Sequence, residues 1–488
     1  MLSLQNLLPG AVGMNGREPL TVIDTAWLRM DRPTNLMMIC GMMLFDERVD
    51  LQALKEVIGT RMLCFHRFRQ RPVGQGSDAH WETDPHFDLD WHVRRIALPD
   101  KEGGALEEVA SDLISTPLDP SKPMWQFHVI DNPRGSSAVV MRIHHCYGDG
   151  FALMHVVNSM TDSDPARPAS PGIDIGAAGR SRSAVERILG PLTEAVGDVV
   201  RSSLAVALVG RDLLIRPTQA IAYAKTGTDI ACAAGVIAGM TPDSPTRFKG
   251  ALGVMKRVAW AEPLALPEVK ALSGALGCSV NDVLMACVAG ALRAYLQERG
   301  DSVEGLEVRA LVPVNLRPSG RITELGNRFG LVFLSLPIGI EDTVARVLEV
   351  RERMDALKGS QQPLVALGIL AAMGVAPEII KERTLEALAA NASVVATNVR
   401  GSEQPRYFAG KRMTRQMFWV PQSGGIGIGV SILSYAGQVS FGVVSDARRV
   451  PDPEVVAQNF TIEFETLLLS ALMMPWPGEA AGSGAATD

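Results

Sequence analysis

The segment Ser136 to Ile143, Ser-Ser-Ala-Val-Val-Met-Arg-Ile, places the tightest constraint on the fold. It is apolar and β-branched, and Pro133-Arg134-Gly135 bounds it as a turn, so it reads as a buried strand. It runs straight into His144-His145-Cys146-Tyr147-Gly148-Asp149-Gly150, after which Phe151 to Met160 reads as a helix start. Two adjacent imidazoles and a carboxyl therefore sit on a strand-to-helix loop. Such a loop belongs to a layered protein of sheets and helices.

The rest of the chain repeats that alternation. From Asp24 to Phe45 and on to Arg71, short apolar runs flank a helix-like stretch, Leu51 to Met62, in the order strand, helix, strand. In the second half Asn281-Asp282 precedes a core-facing helix, Val283 to Leu296. Strand-like runs follow at Val308 to Leu316, Leu331 to Ile338 and Ala392 to Val399, and Ile426 to Tyr435 with Gln438 to Ser445 forms a hairpin about Ala436-Gly437. Mixed strands and helices in both halves predict two α/β lobes. Between them Thr161 to Arg182 has the composition of an exposed linker. The Ala- and Val-rich stretch Ser183 to Met240 reads as helical, either a packed crossover or an amphipathic surface for lipid. The division is an N-terminal lobe over 1–160, linker and crossover over 161–250, a C-terminal lobe over 251–475 and a disordered Gly-, Ala- and Ser-rich tail over 476–488.

With 488 residues, 47% hydrophobic and 20% charged, the chain has ample material for these cores. A net charge of −6 provides no global basic field, which argues against nucleic acid as a partner. The six Cys, at 40, 64, 146, 232, 278 and 287, show no CxxC pair and no zinc spacing, and are expected to be reduced thiols in a cytoplasmic protein. The first twenty residues lack the basic region and apolar core of a secretory signal. No uninterrupted apolar run reaches the roughly 18 residues needed to span a bilayer, although the protein could lie on one. The 21 Met against 5% aromatics suit irregular apolar cavities and hint at a greasy ligand.

In the loop, a neutral imidazole is the side chain best suited to take a proton from a hydroxyl near neutral pH. Neighbours on an extended segment face opposite ways, so one His meets substrate and the other packs inside. Asp149 either orients the ring, as in a triad, or holds the loop through an ion pair with an Arg. Metal binding lacks a third ligand at motif spacing. There is no Gly-x-Ser-x-Gly elbow and no phosphate loop of the GxxxxGK[ST] kind. Cys146 and Tyr147 read as packing, with Cys146 the lesser candidate for a nucleophile.

These residues resemble the bacterial wax ester synthase/acyl-CoA:diacylglycerol acyltransferases, within the chloramphenicol acetyltransferase-like, CoA-dependent acyltransferase superfamily. The likeness covers nearly the whole chain. It runs from Asp24-Thr25-Ala26-Trp27-Leu28 through His66 to Arg71, Phe87 to Val93 and Ala97-Leu98-Pro99 to Pro123-Met124-Trp125, where the family usually has Pro-Leu-Trp. HHxxxDG follows at 144–150, then Asn281-Asp282-Val283, Val312-Pro313-Val314, Gly326-Asn327, Thr397-Asn398-Val399 and Ser434 to Gly437. HHxxxDG alone marks only the superfamily, which includes condensation domains of peptide synthetases; the ordered outlying motifs narrow it.

The resemblance implies two chloramphenicol acetyltransferase-like lobes, each a mixed β-sheet flanked by helices, with the active site at the lobe interface. It implies that His145 is the general base that deprotonates an alcohol as it attacks an acyl-CoA thioester, without an acyl-enzyme and without a cofactor. The catalytic set is then His145, His144 and Asp149, with Gly150, Asn281, Thr397 and Trp125 on the substrate side. Asp282, Arg67 and Arg69 are structural support, the two Arg as partners for Asp149 in the ion-pair role. For Asn281 and Thr397, oxyanion donor stands beside helix cap and strand-end hydrogen bond. Pro123-Met124-Trp125 is expected to be structural near the site, with Trp125 as a lipid wall the lesser reading. Expected partners are long-chain acyl-CoA and diacylglycerol or a fatty alcohol, with peripheral contact at the inner membrane face or lipid inclusions. The alternatives are a condensation-type transferase with another acceptor and a non-catalytic lipid-binding protein. Leu364 to Val375 reads as core packing before acyl tunnel.

Overall fold

Two mixed sheets, each assembled from distant parts of the chain, form the frame of this computed structural model, which describes residues 18–74, 78–99, 104–164, 239–317, 325–375 and 378–474. The expected linker beyond Asp164, the helical stretch up to residue 238, Cys232 and the tail lie outside the described residues.

The first sheet has the order Arg415–Trp419, Met38–Phe45, Ser137–His144, Trp125–Asp131, Val93–Ala97. Its pairings are antiparallel except the last, which is parallel. Ser137–His144 lies at its centre and is buried throughout. Period-two alternation explains how one strand serves two cores. Val139, Met141 and Ile143 enter the core beneath Gly150–Met160, while Ala138 and Val140 face the core that includes Ala110 and Ile114 of the helix Ala105–Ser115. Burying each Val or Ile contributes roughly 1.5–3 kcal/mol.

The second sheet has the order Phe329–Leu336, Val308–Asn315, Val394–Arg400, Ile428–Tyr435, Gln438–Asp446, Lys256–Trp260. Val394–Arg400 runs parallel to both its neighbours, and Ile428–Tyr435 with Gln438–Asp446 is the expected antiparallel hairpin. One face is covered by Val280–Glu298, every residue of which from Asp282 to Arg293 is buried. Ser279 caps that helix and Asp282 answers it in a capping box, which makes the acidic residue of the Asn-Asp pair a structural one.

The strand Arg415–Trp419 departs from a simple two-lobe division. It follows residues of the second sheet in sequence yet pairs antiparallel with Met38–Phe45 at the edge of the first. Residue 250 therefore does not separate the two sheets cleanly. Leu51–Val57 is also shorter than the stretch to Met62 suggests, because Ile58–Met62 continues as a single π-helical segment. Gln362–Val375 packs as core: Gly374 abuts the backbone of Val22 and Gly330 abuts that of Pro363.

Candidate active site

The central strand ends at His144, and the chain then makes one 3₁₀ turn, His145–Tyr147, before Gly148 and the helix Gly150–Met160. Backbone bonds from both flanks fix this turn: His145 N donates to Met37 O at 2.7 Å and His144 N to Met124 O at 3.0 Å. The Tyr147 hydroxyl donates to Gln70 O at 2.6 Å and accepts from Met124 N at 3.0 Å. Gly148 bridges in parallel to Gly326, whose carbonyl accepts from Asp149 N at 3.3 Å. Gly326 has φ +110°, a conformation open to glycine and strained for other residues.

The two imidazoles have different surroundings. His144 Nδ1 accepts from Cys146 N at 3.2 Å, so its proton is on Nε2, which is enclosed without a hydrogen-bond partner and lies 3.9 Å from Asp31 Oδ1. Burial, with the neighbouring His145, pushes this ring down to about 3. His144 therefore shapes the turn.

His145 Nδ1 lies 2.8 Å from Asn327 Oδ1. The Asn327 amide nitrogen donates to the His145 carbonyl at 2.8 Å and to Asp24 Oδ1 at 2.9 Å. A peptide carbonyl only accepts, so this amide can be oriented in one way, and its oxygen must face the ring. Nδ1 consequently carries the proton and Nε2 keeps a free lone pair. The ring stacks on Trp27 at 3.8 Å and 11°, with Phe329 at 5.7 Å. Burial pushes His145 down to about 4, opposed by the Asp149 carboxylate and the Asn327 hydrogen bond, so it is neutral at pH 7. Burial likewise raises the pKa of the Asp24 carboxyl.

Asp149 does not touch either imidazole through a hydrogen bond. Its Oδ1 caps the following helix by accepting from Ala152 N at 3.0 Å. Its Oδ2 accepts from Arg317 Nη1 at 2.6 Å and Arg328 N at 2.8 Å. The ion-pair arrangement is the one observed, with a different partner from those expected. Arg67 pairs instead with Glu18 and lies over the Trp81 ring, and Arg69 is exposed. Arg67 follows its own carboxylate because a short 3₁₀ turn, His66–Arg69, aims it at the small sheet containing Glu18–Pro19.

Other expected residues separate. Trp125 is fully enclosed, stacks on His92 at 4.2 Å and donates from Nε1 to Phe68 O at 2.8 Å, so it is a core pillar and not a lipid-contacting wall. Asn281 accepts from Asn398 at 2.9 Å, and Ser279 rather than Asn281 caps the helix. Asn398 alternates with Val394 and Ala396 on the face toward that helix, whereas Thr397 shares the opposite face with Val399, which packs against the first sheet. Thr397 Oγ1 donates to Val430 O at 3.3 Å. Asn281 and Thr397 are thus not a joint donor pair. Cys146 is 1% exposed and burial pushes its thiol well up, the opposite of an activated nucleophile. Among the described residues no group of three His, Cys, Asp or Glu could hold a metal ion.

Asn327, Asp24, Trp27 and Arg317 complete the site and were not singled out for chemistry from the sequence. Asp24, Trp27 and Asn327 do stand within motifs of the family resemblance; Arg317 carries no such signal.

The sequence model of the wax ester synthase/diacylglycerol acyltransferase catalytic domain matches residues 20–284, and that of the WS/DGAT C-terminal domain matches 325–468. A Mycobacterium tuberculosis protein described as "putative diacylglycerol O-acyltransferase" is 30% identical over 418 residues, covering 82% of this chain and 87% of its own. A "probable diacylglycerol O-acyltransferase" of that organism is 27% identical over 454 residues, covering 90% and 93%. Among solved structures, the wax ester synthase/diacylglycerol acyltransferase from Marinobacter aquaeolei VT8 superposes with a TM-score of 0.67 at 21% identity, over 93% of this chain and all of that one. The first condensation domain of the CDA synthetase gives 0.56 at 14% identity, over 94% and 96%. At these identities the two structures speak to the fold.

Proposed function

Because this chain belongs to the wax ester synthase/diacylglycerol acyltransferase family, we propose that it moves a long-chain acyl group from acyl-CoA to the hydroxyl of diacylglycerol or a long-chain alcohol, with His145 Nε2 as the general base. The observation that carries the catalytic assignment is the Asn327 amide, whose forced orientation puts the proton on Nδ1 and leaves Nε2 basic.

The step follows from that tautomer. Nε2 takes the acceptor's hydroxyl proton as its oxygen bonds to the thioester carbon, and the carbonyl π electrons move onto oxygen. The resulting imidazolium is favoured by the Asn327 hydrogen bond, the field of Asp149 and the Trp27 face. Collapse of the intermediate breaks the C–S bond, and the departing thiolate receives the same proton. Ester and free CoA leave, the ring is neutral again, and no enzyme nucleophile is required. Asp149, held by Arg317 and two backbone amides, keeps the loop in place and transfers no proton.

The test is release of free CoA thiol from a long-chain acyl-CoA with diacylglycerol or hexadecanol present. Replacing His145 by Ala is expected to cost about 10²–10⁴-fold in rate. A folded His145→Ala protein with near-normal transfer would remove the base assignment. We place the enzyme peripherally on the cytoplasmic face of a membrane or on lipid inclusions. Ile462 midway along the helix Pro453–Leu472, Leu469 and Leu472 in its last turn and Met473 just beyond it support this, being 56%, 62%, 58% and 85% exposed. No single helix among the described residues is long and apolar enough to cross a membrane. Co-sedimentation with anionic vesicles, lost in Leu469→Glu/Met473→Glu, checks this.

A further inference from the structure

The helix Val22–Met30 brings two side chains to the catalytic turn. Asp24 and Trp27 stand three positions apart, so they share one side of the helix. Trp27 supplies the ring on which His145 stacks. Asp24 reaches the turn by another route: it is 5% exposed, and its Oδ1 accepts from Asn327 Nδ2 at 2.9 Å.

Two hydrogen bonds with one amide between them therefore connect this carboxyl to the base. The Asn327 nitrogen donates to Asp24, and the Asn327 oxygen accepts from His145 Nδ1 at 2.8 Å. An amide held between a carboxylate and an N–H donor is polarised along its length, which makes its oxygen the stronger acceptor. That gain is largest when the ring carries a positive charge, because a hydrogen bond from an ionised donor is the stronger kind.

Asp24 also lacks a counter-ion. Among the described residues it enters no salt bridge, and Arg67, whose field reaches it, is paired with Glu18. A buried carboxylate without a cation costs stability that an asparagine of the same shape would not. Its place in the first turn of the helix offsets part of that cost, since a helix N-terminus favours negative charge and Thr21 caps the turn by accepting from Asp24 N at 3.0 Å. Asp149 is the contrast. Its field acts on the ring across space and is partly cancelled by Arg317 at 2.6 Å, whereas the charge of Asp24 is directed at the amide.

We propose that Asp24 is a positioning residue for the transfer, whose carboxylate, acting through Asn327, strengthens the hydrogen bond to His145 Nδ1 and balances the imidazolium that forms while the acyl group moves. Asp24 neither gives nor takes a proton. The role rests on His145 as the base, and the competing role is that of a purely structural acid in the first turn of its helix.

Asp24→Asn separates the two, because it keeps the shape and an acceptor for Asn327 while removing the charge. It is expected to lower kcat about tenfold or more with KM changed by less than about twofold, and to leave the urea midpoint unchanged or raised. A lower midpoint with unchanged kcat is the outcome of the structural role and overturns the proposal. Coupling gives a second measurement: a charge that acts through the amide has little left to lose in a protein already carrying Asn327→Leu, so the two effects on kcat fall well short of multiplying. Full multiplication places Asp24 on another route and also overturns the proposal.

The relay is read without turnover as well. In protein labelled with 15N-histidine, the Nδ1 proton of His145, assigned by its absence from His145→Ala, should move upfield in Asp24→Asn, since a less polarised oxygen accepts more weakly. An unmoved resonance together with unaltered kcat overturns the relay and leaves the base intact. If the resonance moves but His145→Ala keeps near-normal transfer, the relay of hydrogen bonds stands and only the base assignment fails.

Discussion

At the scale of single residues, the site depends on which nitrogen of His145 bears the proton. Asn327→Leu removes the group that selects the tautomer. It is expected to lower kcat at least about tenfold with little change in KM, as expected for a residue that positions a base. Since burial holds His145 near 4, its neutral, proton-accepting form persists through mildly acidic solution. A pH profile of kcat/KM should show no limb near 6.5 and should fall only as pH approaches about 4. Asp149→Asn should behave differently, because Asp149 and Arg317 are both buried and removal of one leaves the other uncompensated. A loss of roughly 3–5 kcal/mol in stability is expected, read as a lower urea midpoint, with a smaller effect on rate than His145→Ala. The His pair and its Asp were legible because they are contiguous on a strand-to-helix loop. Arg317 was not: it is 168 residues from Asp149, and no local spacing records that proximity.

At the scale of elements, the same contrast between local and distant information recurs. The central strand, the buried helix Val280–Glu298 and the last hairpin could be read from period and turn residues, since each is specified by its own sequence. Arg415–Trp419 was not, because Arg-Gln-Met-Phe-Trp is short and its partner strand lies far upstream. The early end of Leu51–Val57 was also invisible, as the apolar spacing continues through the π-helical segment. The crossing strand ties distant parts of the chain together: Met417 packs with Met38, Cys40 and Met42 in the core that includes Ala110 and Ile114. Met417→Ala should cost about 2–5 kcal/mol. Hydrogen exchange should locate the loss in Met38–Phe45 as well as in the strand itself.

At the scale of the whole molecule, buried imidazoles make stability acid-sensitive. Burial holds His92, His128 and His145 down to about 4 and His144 to about 3. In the unfolded chain each would titrate near 6.5, so below that pH the unfolded state binds more protons than the folded one. Stability from these groups is fully present above about 6.5 and declines as pH falls toward about 4. Asp24 and Asp31 work in the opposite sense, since burial raises them. The expected net result is a melting temperature that drops steadily across that interval in a calorimetric pH series.

The edge of Met38–Phe45 waits for a partner that the ribosome makes much later. The bond from Thr414 to Leu44 joins residues 370 apart. At roughly 5–20 residues per second, this edge would remain unpaired for roughly twenty to seventy seconds during synthesis. Through that interval a nascent chain exposes an apolar strand border to its neighbours on the polysome, which makes chaperone capture, and not only final stability, a determinant of how much active protein a cell obtains.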